Sequence, residues 1–127
     1  MFDEYLHYRE TTYNEPFVEF SIDEDYKLYV DGRPRYEGVN AFLNSRNINI
    51  EYGNESDCPG LSTICSLGNL KNEKFSRLIE LEGVELYDST IALIKELKSR
   101  NILTAVASSS RNCKTILEKM GILDLFD

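Results

Sequence analysis

Residues 103–121 read LTAVASSSRNCKTILEKMG, an uncharged apolar run that passes through three serines into a helical pattern. Residues 102–107 carry no charge and no alternation of polar and apolar side chains, which predicts a short strand buried on both faces of a parallel sheet. After the serines, apolar residues recur at helical spacing until Gly121, which is suited to end a helix. The stretch therefore predicts a strand, a serine-rich turn and a helix.

The turn between this strand and helix carries groups that can bind an anion. The first backbone N–H groups of a helix have no partner within the helix, and the helix dipole is positive there. Further donors come from the side chains of Ser108, Ser109, Ser110, Arg111 and Asn112. Two interpretations stay open at this point: a phosphate-binding turn, or a loop in which Ser110 only caps the helix.

Composition limits the classes of partner. The chain has 127 residues, of which 42% are hydrophobic, enough for one compact domain or two unequal pieces. The formal net charge of −8 argues against a nucleic acid or an anionic membrane as the partner, because both bind clustered lysine and arginine. Any anion site must therefore be local.

The sequence gives little support to metal or nucleophilic chemistry. The three cysteines show no C-x-x-C spacing, and no run resembles a secretory signal or a membrane span, which favours reduced thiols in a cytoplasmic protein. No zinc site is indicated. The single histidine, His7, is expected on a helix surface rather than in a catalytic triad.

The first two thirds of the chain read as helices. Apolar and polar residues alternate from residue 17 into Asp23-Glu24-Asp25, but Ser21 or Asp23 can cap a helix, so we favour a helix over a strand that delivers a carboxylate pair. A basic loop at residues 32–35 precedes a helix from about 36 to 46. Its arginines can bind a carboxylate or a phosphate, or can lie in a solvated turn. Residues 61–81 predict either one helix or two helices that are separated near Gly68-Asn69.

Residues 88–121 predict a helix, the buried strand and a second helix, which is part of an α/β pattern. A buried parallel strand needs a partner strand on each side, and no other run in the chain resembles one. The predicted fold class is therefore mostly α, with an incomplete α/β, Rossmann-like segment at the end.

Three stretches together resemble the β-phosphoglucomutase-like branch of the haloacid dehalogenase superfamily. They are YVDGRPRYEGVNAFLNSRNI (29–48), SLGNLKNEKFSRLI (66–79) and GVELYDSTIALIKELKSRNILTAVASSSRNCKTILEKMGILDLFD (83–127). The resemblance implies a helical cap domain at residues 1–84 and part of an α/β core at residues 85–127. In this branch an aspartate on the first core strand takes a phosphoryl group from a sugar phosphate, with Mg²⁺ holding the phosphate. The chain therefore resembles part of a phosphatase or phosphomutase.

The resemblance also implies roles for the turn residues. Ser108 matches the residue that hydrogen-bonds the transferring phosphoryl group, helped by the backbone N–H of Ser109. The next three residues match positions that bind the phosphate that is not transferred: Ser110, Arg111 and Asn112. In the cap, Arg35 matches an arginine that reaches this phosphate, and Lys71 and Asn72 match a pair that faces the sugar.

The family's nucleophile motif, Asp-x-Asp-Gly after an apolar strand, does not occur in the chain, and neither do its later lysine and its acidic metal-binding segment. An aspartyl phosphate cannot form without its carboxylate. We therefore expect an isolated chain without turnover and without Mg²⁺ ligands of its own. The alternatives are a non-catalytic sugar-phosphate-binding or regulatory module and one half of a split enzyme. We also expect the exposed core strand to mediate self-association or to bind a complementing chain.

Overall fold

The computed structural model describes all residues from 1 to 127, and every regular element in it is helical. The elements are α1 (Phe2–Tyr13), a π-helix (Ile22–Val30), α2 (Arg35–Ser45), α3 (Ile64–Glu82), α4 (Asp88–Ser99), α5 (Cys113–Lys119) and a 3₁₀ turn (Leu123–Leu125). The predicted mostly α class is confirmed. The chain forms two compact units, Met1–Leu78 and Ile79–Asp127.

The first unit has a hydrophobic core centred on Phe42, whose side chain is completely buried. Its ring lies 4.4 Å from the ring of Phe2 and 5.0 Å from that of Phe20. Val39, one turn before Phe42 on α2, and Leu43, the residue after it, are also buried, as the helical spacing predicts. The other core residues come from α1, the π-helix, the start of α2, the loop after α2 and the start of α3: Tyr5, Leu6, Val30, Tyr36, Ile48, Ile64, Cys65 and Leu67.

The helical interpretation of the segment after residue 17 is confirmed. Ser21 caps the π-helix by accepting a hydrogen bond from the backbone N–H of Glu24 at 3.2 Å. The carboxylate of Asp25 accepts from the backbone N–H of Ser21 at 2.9 Å and from Arg46 at 2.6 Å. Asp23 pairs with Lys27 at 2.7 Å. The two aspartates thus stabilise the helix and its contact with the end of α2, and do not form a catalytic pair.

Helix α3 runs without a break from Ile64 to Glu82, which confirms the single-helix alternative and contradicts an interruption near Gly68. Its first turn is fixed by reciprocal bonds: the N–H of Thr63 donates to Ser66 Oγ at 2.8 Å, and the N–H of Ser66 donates to Thr63 Oγ1 at 3.0 Å. The hydroxyl of Thr63 also donates to Asp57 at 2.8 Å, which ties the preceding loop to the helix. Gly53 lies against this contact, since a Cβ there would be 2.3 Å from Asp57 Oδ2.

The second unit contains no buried residue in α4 or α5, and the prediction of a buried strand at residues 102–107 is wrong. This segment forms no strand, and Leu103 is 81% exposed. Its bonds run to the end of the chain: the N–H of Asp127 donates to Thr104 O, and the N–H of Thr104 donates to the Asp127 carboxylate, both at 2.9 Å. A single extended segment cannot form a sheet, because a ladder needs a neighbouring strand.

None of the helices is both long enough and apolar enough to cross a membrane. The assignment of residues 1–84 as a cap and 85–127 as part of a core stays a prediction.

Candidate phosphate-binding residues

Arg35 is the first residue of α2, and two asparagines of α3 hold its guanidinium. Its Nη2 donates to Asn72 Oδ1 at 2.7 Å, and its Nη1 donates to Asn69 Oδ1 at 3.3 Å. The side chain is half-buried and lies 5.8 Å from the centre of the Tyr36 ring. Because both acceptors are uncharged amides, they orient the guanidinium without neutralising it. Arg35 is therefore a fixed cation that can pair with an external anion.

Lys71 is a second half-buried cation in the same region. Burial and the nearby charge of Arg35 both lower the pKa of its ammonium group. Two cations of this kind disfavour each other, so an anion that reaches both would relieve a repulsion as well as form new bonds. The arrangement is suited to a phosphate or a carboxylate. The structure thus brings the predicted residues Arg35, Lys71 and Asn72 together.

Gly68 permits the close approach of α2 and α3 at this site. A Cβ at Gly68 would lie 2.6 and 2.9 Å from two ring carbons of Tyr36 and 3.2 Å from Cγ of Arg35. Glycine within a helix costs about 1 kcal/mol relative to alanine. Packing outweighs this cost here, because any side chain at this position would displace the residues that begin α2.

Sequence reasoning did not identify Tyr36 and Asn69 as part of the site. The hydroxyl of Tyr36 donates to Asn69 Oδ1 at 2.9 Å. The amide nitrogen of Asn69 donates to the backbone oxygens of Glu55 and Asp57, at 3.0 and 2.9 Å. One signal was available: Asn69 lies three residues before Asn72, a spacing that places both amides on one face of a helix.

The predicted anion turn of the second unit is a pair of consecutive serine turns. The N–H of Ser110 donates to Ser108 Oγ at 3.1 Å, and the N–H of Asn112 donates to Ser110 Oγ at 3.2 Å. Helix α5 begins at Cys113 with Asn112 in the N-cap position, so the alternative in which Ser110 caps the helix is wrong. Ser108 and Ser109 are exposed, and the Ser108 hydroxyl keeps its own proton to donate.

Comparison with known proteins decides the relationship. No protein family model matches the chain. Over 122 residues, or 96% of its length, it is 36% identical to proteins named beta-phosphoglucomutase from Mycobacterium bovis and Mycobacterium tuberculosis. The chain is related to β-phosphoglucomutases. The predicted resemblance to this branch of the haloacid dehalogenase superfamily is thereby confirmed. The match covers 47% of each relative, so the chain spans about half the length of the curated relatives it matches.

Two groups of candidate residues follow in this β-phosphoglucomutase-like chain. Arg35, Lys71 and Asn72 lie in the unit Met1–Leu78, and residues 108–112 lie in the unit Ile79–Asp127. The roles that the resemblance assigns to these residues stay predictions.

The side chains of this chain do not form a binding site for the magnesium ion that the resemblance implies. No group of three or more His, Cys, Asp or Glu side chains is placed to bind a metal ion.

His7 lies on the exposed face of α1, as predicted, where its ring stacks on Phe17 with centroids 3.7 Å apart.

Proposed function

We propose that the chain binds a sugar phosphate as part of a β-phosphoglucomutase-like phosphomutase or phosphatase. The observation that carries this proposal is the 36% identity to beta-phosphoglucomutases along 96% of the chain. The contacts of Arg35 support it, because this half-buried cation is oriented by neutral amides and not by a carboxylate. A cation in such surroundings favours an anionic ligand.

The proposed roles divide between the two units. In the first, Arg35 binds the phosphate through its guanidinium, while Lys71 and Asn72 contact the sugar. In the second, the hydroxyl of Ser108 and the N–H of Ser109 bind the phosphoryl group that is transferred. The phosphate that is not transferred is bound by Ser110, Arg111 and Asn112. Residues 85–127 form part of an α/β core in this proposal.

Calorimetric titration tests the binding function. We expect β-glucose 1-phosphate to bind and unphosphorylated glucose not to bind, because the cations recognise the phosphate. The variant Arg35→Ala removes the oriented guanidinium and should weaken binding by at least about tenfold, which corresponds to one charge-assisted hydrogen bond. Arg33→Ala is the matched control, since Arg33 is an exposed arginine two residues away. Absence of binding to the wild-type chain, or equal losses in both variants, would contradict the proposal.

We also propose that the chain alone does not hydrolyse phosphate esters. The carboxylate nucleophile motif of the branch does not occur in its sequence, and no group replaces it in forming an aspartyl phosphate. The assay is Mg²⁺-dependent hydrolysis of an aryl phosphate and of β-glucose 1-phosphate. Turnover that persists through stringent purification and disappears in Ser108→Ala would overturn this part of the proposal.

The exposed apolar segment supports association with another polypeptide, either a second copy or a complementing core. Ile102, Leu103 and Val106 are 47%, 81% and 43% exposed, and such a segment readily adds to a sheet. Light scattering should show self-association, or a mass increase on addition of a polypeptide that carries the nucleophile strand of this branch. A clean monomer in both experiments, with strong amide protection across residues 102–107, would contradict it.

A further inference from the structure

We infer that Asn69 is a positioning residue, which holds the guanidinium of Arg35 ready for an anion and connects it to the loop before α3. The inference rests on the proposed binding of a sugar phosphate and adds to it a residue that the resemblance does not assign.

The amide of Asn69 uses its full hydrogen-bonding capacity. Its Oδ1 accepts from Arg35 Nη1 at 3.3 Å and from the Tyr36 hydroxyl at 2.9 Å. Its Nδ2 donates to the backbone oxygens of Glu55 and Asp57, at 3.0 and 2.9 Å. Only a carboxamide can accept two bonds on one atom and donate two from another at this position, since a carboxylate has no donor and a hydroxyl has one.

The second acceptor matters for the orientation of Arg35. With Asn72 alone, one Nη atom would be held and the guanidinium could still turn about its long side chain. Asn69 holds the other Nη atom, which fixes the plane of the group. Three of the five N–H donors of an arginine then stay available for a phosphate. Fixing the group before the ligand arrives lowers the entropy cost of binding.

Asn69 also connects the loop before α3 to the guanidinium of Arg35 through hydrogen bonds. Its two donated bonds go to backbone oxygens two residues apart, in the loop that Asp57 fastens to Thr63. The loop, the amide and the guanidinium therefore form one connected network. A change that loosens the loop should also loosen Arg35.

Titration of three variants with β-glucose 1-phosphate tests the role in binding. Asn69→Ala should weaken binding by about tenfold, because one bond to the guanidinium and its fixed orientation are lost. Asn69→Asp keeps the acceptor but neutralises Arg35, and should weaken binding at least as much. Asn44→Ala is the matched control, since Asn44 is an exposed asparagine of α2 whose amide donates only to Asn40. Wild-type affinity in Asn69→Ala would overturn the inference while leaving the proposed function intact.

A second measurement does not depend on the ligand. Nitrogen-15 NMR of the Arg35 side chain, assigned by comparison with Arg35→Lys, reports rotation of the guanidinium. Rotation should be slow in the wild type and in Asn69→Asp, which retains the acceptor, and faster in Asn69→Ala. If the wild type binds no sugar phosphate, the proposed function fails and this difference still supports the positioning role. Equal rotation in all three proteins would overturn the inference. If the alanine variant does not fold, Asn69→Ser takes its place, because one short hydroxyl cannot replace both the acceptor and the two donors of the amide.

Discussion

The two compact units carry similar amphipathic helices but bury them very differently. In the first unit Val39, Phe42 and Leu43 of α2 are between 0% and 1% exposed. In the second, the apolar stripe of α4 is only partly covered, at Ile91, Ile94 and Leu97, and no residue of that helix is buried. Periodicity therefore determines where a helix forms, but burial depends on whether a complementary surface is present.

The largest expected effect on the free energy of unfolding comes from truncating a core residue of the first unit, which we compare with an apolar residue of the second unit. Phe42→Ala should lower the free energy of unfolding by about 3–5 kcal/mol, because a completely buried ring is lost. Leu103→Ala should change it by less than about 0.5 kcal/mol, since Leu103 is already 81% exposed. Urea unfolding followed by far-ultraviolet circular dichroism, to which the helices of both units contribute, measures both. Similar losses would show that the segment around Leu103 is buried in solution.

The next effect concerns the close approach at Gly68. Gly68→Ala should destabilise the first unit by about 1–3 kcal/mol, because the new methyl group overlaps the Tyr36 ring and the gain in helix propensity is only about 1 kcal/mol. Binding of β-glucose 1-phosphate should weaken as well, through displacement of Arg35. Glu73→Ala, at an exposed position of the same helix, is the control and should leave both measurements almost unchanged. A stabilised Gly68→Ala variant would mean that packing does not dominate at this position.

A smaller effect is expected at Lys71, where binding and stability oppose each other. Burial lowers the pKa of its ammonium group, so folding disfavours the charged form. Lys71→Met should therefore raise the free energy of unfolding at neutral pH, by less than about 1 kcal/mol because the group is partly exposed and screened. The difference should shrink as the pH rises from the lowered pKa to the ordinary lysine value, where the amine is neutral in both states.

Sugar-phosphate binding should fall in the same Lys71→Met variant, which separates a functional cation from a structural one. Lys74→Met is the matched control, since Lys74 pairs with Glu4 at 2.7 Å and is half-exposed. Lys74→Met should be slightly less stable than the wild type and should keep its affinity for the sugar phosphate. A Lys71→Met variant that is less stable than the wild type at neutral pH would contradict the assignment.

Local signals predicted much of this structure. The cap at Ser21, the buried face of α2 and the end of α5 near Gly121 follow from spacing and capping chemistry within a few residues. The prediction of a strand at residues 102–107 was wrong, because a strand depends on neighbouring strands that the local sequence pattern does not include. In the site, Arg35 was identified by family resemblance, but Asn69 became visible only when α2 and α3 were packed together.

The smallest expected effect on stability comes from removing an ion pair, and we compare one ion pair from each unit. Arg9, whose side chain is 14% exposed, forms two bonds to the Glu15 carboxylate, whereas Arg100 is 69% exposed in its pair with Glu96. The bond from Arg9 lowers the pKa of Glu15. Its stabilisation is therefore present above the ordinary glutamate pKa and is lost as the pH falls through the lowered value. Glu15→Gln should be less stable than the wild type at neutral pH and equal to it in strong acid, while Glu96→Gln should differ less at neutral pH, because solvent screens both partners. Parallel urea titrations at the two pH values test this, and a Glu15→Gln deficit that persists in strong acid would mean that the carboxylate charge is not its cause.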